Sequence, residues 1–193
     1  MKYLLLKVCS MVVAAFVSIP AQDSDRLRAV SLNDEGVTLY DAQRYEAAAA
    51  ALNRAAVLGP HDAVTQFNLG MAYYKLDQFE KSAAAFEKAI KLRKTDALTF
   101  NQLGAAYMKM GSNDKALQAF NESINLNPGD QVVLSNIGSI YLRLSKFQEA
   151  IESFERAKLL NEKDSALRVY LGHAYARIGK YREAISEVSK AVE

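Results

Sequence analysis

Five glycines recur along this chain at a constant interval of 34 residues, and this interval restricts the possible folds more than any other feature. They are Gly36, Gly70, Gly104, Gly138 and Gly172. A constant period of about 20–50 residues is typical of proteins in which one small structural unit is stacked along an axis. Such stacks present extended surfaces, so the period favours a function in binding over one in catalysis.

Other positions repeat with the glycines when each glycine is taken as position 8 of a unit. The units then span residues 29–62, 63–96, 97–130, 131–164 and 165–193. Position 11 reads Leu39, Tyr73, Tyr107, Tyr141 and Tyr175, and position 24 reads Leu52, Phe86, Phe120, Phe154 and Val188. Positions 20 and 27 hold only Ala or Ser. The residue pattern therefore predicts one structural unit repeated five times.

Each unit is predicted to be a pair of helices. In the second unit, Leu69, Tyr73 and Leu76 follow helical spacing, and a second helix is predicted from about Glu80 to Leu92. Turn-forming residues such as Asp77 separate the two helices. The small residues at positions 8, 20 and 27 allow the paired helices to approach closely, and the large side chain at position 24 fills the remaining space.

This pattern resembles the tetratricopeptide repeat family. The family places Leu-Gly, then Tyr three positions after the Gly, then Ala, Phe, Ala and Pro at fixed offsets, and the segments NLGMAYYKLDQFEKSAAAFEKAIKL and NIGSIYLRLSKFQEAIESFERAKLL carry this pattern nearly whole. The resemblance covers residues 29–193 and implies an all-α, right-handed α-solenoid of five tandem helix-turn-helix repeats. The first unit departs most, with Glu35 at position 7 and Leu39 at position 11, as expected of an end unit with one face in water.

The N-terminus has the features of a secretory signal peptide. Lys2 precedes an uncharged stretch from Val8 to Ile19, and the small residue Ala21 follows. We expect residues 1–21 to be a cleaved signal peptide, residues 22–28 a lead-in, and the protein to be exported to a periplasm or the extracellular space. A retained membrane anchor and a buried N-terminal helix are the alternatives. The only cysteine, Cys9, lies in this leader, so the mature chain would need no disulfide.

The charge balance argues against nucleic acid as the main partner. The whole chain has 24 basic and 22 acidic residues, and removing Lys2 and Lys7 with the leader makes the two numbers equal. A protein that binds nucleic acid mainly through phosphate contacts usually carries a clear excess of positive charge.

No catalytic, metal-binding or cofactor-binding motif is recognisable. The two histidines, His61 and His173, are far apart in the repeat array, and no Cys/His cluster or paired-histidine motif accompanies them. The sequence has no glycine-rich phosphate loop and no recognisable set of nucleophile, base and orienting residue. We therefore expect no enzymatic activity, no cofactor, no metal and no small-molecule substrate.

The family resemblance implies that the first helix of each unit lines a concave groove, with positions 2, 5, 6, 9, 12 and 13 at or beside it. Position 6 carries the amides Asn68, Gln102 and Asn136 in three successive units, and Asn33 and Asn101 add amides at position 5. An amide donates and accepts hydrogen bonds, so such a row suits the backbone of a peptide. The alternative is that these are ordinary solvated residues of an exposed helix face.

Apolar and cationic residues complete the predicted groove. Phe67, Met71, Tyr74 and Met108 would serve as apolar anchors, and partial burial between neighbouring helices is the alternative. Lys75, Lys109 and Arg143 would attract acidic groups, although cations at the end of a helix also stabilise the helix dipole, and we favour that explanation. His173, at position 9 of the last unit, would make binding sensitive to pH or would be a solvated bystander.

These features predict a scaffold for protein–protein interaction that binds a peptide segment or a helix of a partner in its concave groove. The alternative is an architectural subunit of an envelope or secreted complex that assembles through the ends of the solenoid. Ile185, Val188 and Val192 form an apolar stripe on the last predicted helix, where a further repeat or a polar capping helix would normally pack. We expect weak self-association through this helix; the stripe would also be explained by toleration of its exposure or by a longer natural chain.

Overall fold

The computed structural model describes residues 21–93 and 96–192, which form ten α-helices and no strand. The helices are α1 (Ala21–Asp41), α2 (Tyr45–Leu58), α3 (Ala63–Lys75), α4 (Phe79–Leu92), α5 (Ala97–Lys109), α6 (Asn113–Leu126), α7 (Gln131–Arg143), α8 (Phe147–Leu160), α9 (Ser165–Arg177) and α10 (Tyr181–Ala191). The predicted all-α solenoid of helix pairs is confirmed. Of the predicted leader, residues 1–20 lie outside the described residues, and the predicted lead-in, residues 22–28, is part of α1.

The helices pack in chain order and form an inner and an outer row. Each odd-numbered helix packs against the even-numbered helices beside it in the chain. The backbones of successive odd-numbered helices also approach one another, whereas the backbones of successive even-numbered helices do not within the described part of the chain. The odd-numbered helices therefore form the inner, concave row. None of the described helices is long and apolar enough to cross a membrane.

Each odd-numbered helix after α1 begins with the same aspartate cap. Asp62, Asp96, Asp130 and Asp164 immediately precede α3, α5, α7 and α9, and each side chain accepts a hydrogen bond from a backbone N–H of the first turn. A carboxylate at this position satisfies an otherwise unpaired donor and stabilises the positive end of the helix dipole. The 34-residue recurrence of these aspartates is itself visible in the sequence.

The turn inside each helix pair has one residue in the left-handed backbone conformation. Gly111 and Gly179 hold this position in the third and fifth units, with φ of 73° and 77°. Gln43, Asp77 and Ser145 hold it in the others, with φ between 55° and 59°. An L-residue with a Cβ is strained in this conformation, whereas glycine is not.

The core lies between the two helices of each pair and between neighbouring pairs. Phe86, Phe120 and Phe154 are completely buried, and each ring packs against the glycine at position 8 of its own unit. Tyr107 and Tyr175 extend this contact to the preceding unit, because their hydroxyls donate to the carboxylates of Glu87 and Glu155.

The junction between the last two units is ionic where the earlier junctions are largely apolar. Glu187 of α10 is buried between Lys158 of α8, at 3.1 Å, and Arg168 of α9, at 2.9 Å. Lys158 also pairs with Glu155 at 2.7 Å. The residues equivalent to Glu187 in earlier units are Ala51, Ala85, Ala119 and Ser153, and those equivalent to Lys158 are Ala56, Ile90 and Ile124.

Candidate functional site: the concave face of the odd-numbered helices

Four positions of each odd-numbered helix lie along a single line on its surface. Because an α-helix turns by about 100° per residue, positions 2, 6, 9 and 13 fall within about 60° of one another. On α3 this line is Val64, Asn68, Met71 and Lys75; on α5 it is Leu98, Gln102, Ala105 and Lys109; on α7 it is Val132, Asn136, Ser139 and Arg143. Three successive helices thus present an aliphatic side chain, an amide, a further side chain and a cation in the same order.

The aliphatic residues at position 2 are exposed in four successive units. The exposed fractions are 55% for Val30, 52% for Val64, 52% for Leu98 and 61% for Val132. Isolated exposed apolar residues are common on proteins, but a regular row at one edge of a concave face indicates an interaction surface. This row was not predicted from the sequence and became evident only from the exposure of its members.

The predicted amides differ in their hydrogen bonding. The Asn68 side chain donates to Oδ1 of Asn33 at 3.0 Å, and the Thr65 hydroxyl donates to the same oxygen at 3.3 Å. Gln102 and Asn136 are half-buried, and in residues 21–93 and 96–192 no hydrogen bond engages their amides. Asn101 is also half-buried. The structure therefore brings all five amides to the odd-numbered helices, with Asn33 and Asn68 joined to each other.

The predicted apolar anchors are divided between the core and the groove. Phe67, Met71, Tyr74 and Met108 are half-buried and pack against the hydrophobic core. The Phe67 ring lies 5.7 Å from the Phe86 ring, and the Tyr74 ring lies edge-on at 5.5 Å from the Phe79 ring. Burial raises the pKa of the Tyr74 hydroxyl, and the nearby Asp77 carboxylate raises it further. Partial burial between helices, the alternative considered from the sequence, thus applies to part of each side chain.

The predicted cations form one exposed rim of the face. Lys75, Lys109 and Arg143 are exposed and are the last residues of α3, α5 and α7. Arg143 donates to the backbone carbonyl of Met108 at 3.5 Å, at the C-terminal turn of the neighbouring α5. Arg143 therefore partly serves the helix-dipole role that the sequence also suggested. Arg177, which continues the rim on α9, lies 4.3 Å from the centre of the Phe147 ring.

A small cavity opens between α1 and α3, beside the predicted groove residues. Its volume is about 200 Å³, and its lining combines apolar side chains with one carboxylate, one amide and one phenol. The lining residues are Val37, Tyr40, Asp41, Leu52, Phe67, Asn68 and Met71. Burial raises the pKa of the Tyr40 hydroxyl, and Tyr45 and the Asp41 carboxylate raise it further.

Phe67, Asn68 and Met71 in this lining were predicted from the sequence as groove residues, whereas Tyr40 and Asp41 were not. The sequence does contain a signal for Asp41: it is the only acidic residue at position 13, where the four later units have Lys or Arg. His61 and His173 are both exposed. In the described part of the chain, no group of three or more His, Cys, Asp or Glu side chains is arranged to hold a metal ion.

Three family models match the chain in overlapping segments. One described as TPR repeat matches residues 72–111, and two described as tetratricopeptide repeat match residues 95–158 and 135–193. Together they cover residues 72–193 without a gap. No curated protein matches the chain in sequence.

Solved structures share the fold at low sequence identity. The crystal structure of MamA protein has a TM-score of 0.82 and 21% identity, covering 86% of this chain and 90% of that one. MamA 41-end from Desulfovibrio magneticus RS-1 has a TM-score of 0.81 and 19% identity, covering 86% of this chain and 93% of that one. YrrB, described as a TPR protein with an unusual peptide-binding site, has a TM-score of 0.78 and 20% identity, covering 92% and 91%. These likenesses concern the fold alone.

Proposed function

The chain belongs to the tetratricopeptide repeat family, and from this premise we propose that it is an interaction scaffold that holds a peptide segment or a helix of another protein in its concave groove. One observation carries the proposal. On each of α3, α5 and α7, positions 2, 6, 9 and 13 form a line on the helix surface, with an aliphatic residue at position 2, an amide at position 6 and a cation at position 13. Such a surface offers apolar contact, backbone hydrogen bonding and charge to one extended ligand.

Within this groove, Asn68, Gln102 and Asn136 would contact the backbone of the bound segment. Asn68 keeps its carbonyl oxygen as an acceptor while its N–H group donates to Asn33. Phe67, Met71, Tyr74 and Met108 would form the apolar floor, and their packing against the core holds them in place before binding. A surface that is already ordered loses less conformational entropy when a ligand binds.

We propose that the groove binds its partner without catalysis and without a small-molecule substrate or cofactor, because its lining consists of amides, apolar side chains and cations that suit binding. We further propose that the protein is exported, on the strength of the leader pattern in residues 1–21. Its partners would then be proteins of the periplasm or the extracellular space. Mass determination of the N-terminus of the protein recovered from cells would test the export proposal.

The groove proposal is tested by capture with a matched control. The full chain, a triple variant Asn68→Ala, Gln102→Ala and Asn136→Ala, and a control variant would be immobilised and exposed to extracellular or periplasmic extract. The control, Gln118→Ala, Asn121→Ala and Gln148→Ala, removes three exposed amides from the outer, even-numbered helices. Partners retained by the parent and the control but lost by the groove variant would support the proposal. Equal retention by all three would exclude the amide row from binding.

A second candidate function is assembly through the end of the solenoid. On α10, the side chains of Ile185 and Val188 are 67% and 43% exposed, which leaves an apolar surface on this helix. In this alternative, the protein would be an architectural subunit that self-associates weakly or joins a larger complex. Sedimentation at high concentration tests it: Ile185→Glu should abolish self-association, and a strictly monomeric parent would contradict it.

A further inference from the structure

One rim of the groove carries charged residues in a definite order along the solenoid. The last residues of the five odd-numbered helices are Asp41, Lys75, Lys109, Arg143 and Arg177, so the rim begins with one carboxylate and continues with four cations. In the described residues, ion pairs occur only around Glu155, Lys158, Arg168 and Glu187. The rim charges are therefore not neutralised by neighbouring side chains and remain available to a ligand.

The cavity between α1 and α3 lies at the acidic end of this rim. Its polar groups are the Asp41 carboxylate, the Asn68 amide and the Tyr40 hydroxyl, and the carboxylate is the charged one. Asp41 offers only acceptors and carries the negative charge of this lining, and Asn68 adds a carbonyl oxygen beside the N–H group that donates to Asn33. A cationic donor matches this charge and these acceptors, and lysine and arginine are the side chains that supply one.

The remaining lining of the cavity suits the stem of the same side chains. Val37, Leu52 and Met71 are apolar, and Tyr40 provides an aromatic ring. Lysine and arginine bury a chain of methylene groups along apolar surfaces while the charged head keeps its hydrogen bonds. Their cations also interact favourably with aromatic faces. The volume of about 200 Å³ has room for one long side chain.

We propose that this cavity binds a lysine or arginine side chain of the partner segment, and that carboxylates of the same segment lie along Lys75, Lys109 and Arg143. The basic residue would sit at the α1 end and the acidic residues over α3, α5 and α7, so the charge order determines the direction in which the segment lies. This inference rests on the proposed function of the groove and adds the chemical class of the partner to it. A nucleic acid strand fits less well, because it would bring phosphates to Asp41 as well as to the cations.

Selection from a random library of 16-residue peptides displayed on phage tests the charge order. The full chain would be panned beside an Asp41→Lys variant and a triple variant Lys75→Glu, Lys109→Glu and Arg143→Glu. The control, Lys88→Glu, Lys91→Glu and Arg156→Glu, reverses three exposed cations of the outer helices. The parent and the control should enrich peptides with one basic residue followed or preceded by acidic and aliphatic residues. Peptides selected by Asp41→Lys should lack the basic residue. Peptides selected by the triple variant should carry basic residues in place of the acidic ones.

A titration of the selected consensus peptide then isolates the cavity contact. The labelled consensus peptide and a second peptide, in which norleucine replaces the basic residue, would each be titrated with the parent and with an Asp41→Asn variant. Fluorescence anisotropy would measure binding. Each single change should weaken binding by about tenfold to a hundredfold, the range expected for loss of one charged hydrogen-bonded contact. The two changes together should weaken it no further, because they remove the same contact.

The outcomes separate this inference from the proposed function. Enriched peptides that lack a basic residue and bind equally well to Asp41→Asn would overturn the cavity assignment and leave groove binding standing. Failure to enrich any peptide on any variant, with helicity intact by circular dichroism, would overturn both. If the parent bound a labelled single-stranded oligothymidine and the triple cation variant did not, the ligand of the groove would be a nucleic acid and not a peptide.

Discussion

The ring of Phe120 lies against the backbone of Gly104, so closely that a Cβ added to this glycine would stand 2.6 Å from Cδ1 of the ring. The same distance recurs between Gly138 and Phe154, to Cε1, and the first and last units replace the ring with Leu52 and Val188. Each helix pair therefore approaches most closely at position 8. The absence of a side chain at this position sets the distance between the two helices.

We predict that Gly104→Ala destabilises the protein by about 1–3 kcal/mol, because the buried ring of Phe120 cannot move aside without disturbing its own packing. The matched control is Gly129→Ala, whose added methyl group would meet nothing closer than Asn127 Oδ1 at 3.8 Å. Urea denaturation of both variants measures the difference. Equal stability of the two would mean that the ring and the helix rearrange freely at this contact.

We predict opposite effects for two substitutions at the equivalent turn position. Gly111→Ala should cost about 1 kcal/mol or more, since Gly111 has a φ of 73° and alanine is strained there even though the space is open. Ser145→Gly, at a φ of 58°, should leave stability unchanged or raise it by up to about 1 kcal/mol. Thermal melts would show the sign, and a stabilising Gly111→Ala would contradict the backbone explanation.

We predict that Glu187→Gln destabilises the last helix pair by about 1.5–3 kcal/mol at neutral pH, because Lys158 and Arg168 would lose a charged hydrogen-bond acceptor. The control is Glu183→Gln on the same helix, at an exposed residue outside the ionic cluster. Denaturation curves recorded at pH 7 would measure both variants. If Glu187→Gln lost no more stability than Glu183→Gln, the ionic cluster would not stabilise the junction between the last two units.

The contribution of Glu187 should depend on pH. Burial alone would raise the pKa of the Glu187 carboxyl, but Lys158 and Arg168 outweigh it and hold the pKa below the ordinary value of 4.5. The stabilisation is therefore complete above that value and is lost as pH falls through the lower pKa of the folded state. The difference in stability between the parent and Glu187→Gln should consequently shrink below pH 4.5; a constant difference would contradict this assignment.

We predict that two tyrosines ionise late in a spectrophotometric titration. Burial, and after it the hydrogen bonds that they donate to Glu87 and Glu155, together raise the pKa of Tyr107 and of Tyr175 to about 12. Tyr107→Phe and Tyr175→Phe should each remove one absorbance step near pH 12. Because the neutral phenol is favoured in the folded state, the stabilisation from each tyrosine should decline as pH rises from about 10 towards the raised pKa. A Tyr107→Phe variant whose titration matches the parent would contradict the prediction.

Much of the site could be predicted from the sequence, and the missing part has a clear cause. The repeat placed Asn68, Gln102 and Asn136 on equivalent turns of successive inner helices, and the structure shows them there. The cavity at Tyr40 and Asp41 escaped prediction, because it forms between two units whose residues are about 30 positions apart in the chain. Cavity shape depends on how much each unit is rotated against the next, and this rotation is not contained in a list of residue types.

The sequence by itself determined the helix pairs, their number and the contact between the small and large residues within each pair. These follow from local spacing and from the sizes of residues that lie close in the chain, which is why the period was sufficient. Only the tertiary structure decided that Asn33 accepts a hydrogen bond from Asn68 and that Glu187 is buried between Lys158 and Arg168. A charged or amide side chain is normally solvated when judged alone, and only the packing of neighbouring units determines whether it meets a partner or water.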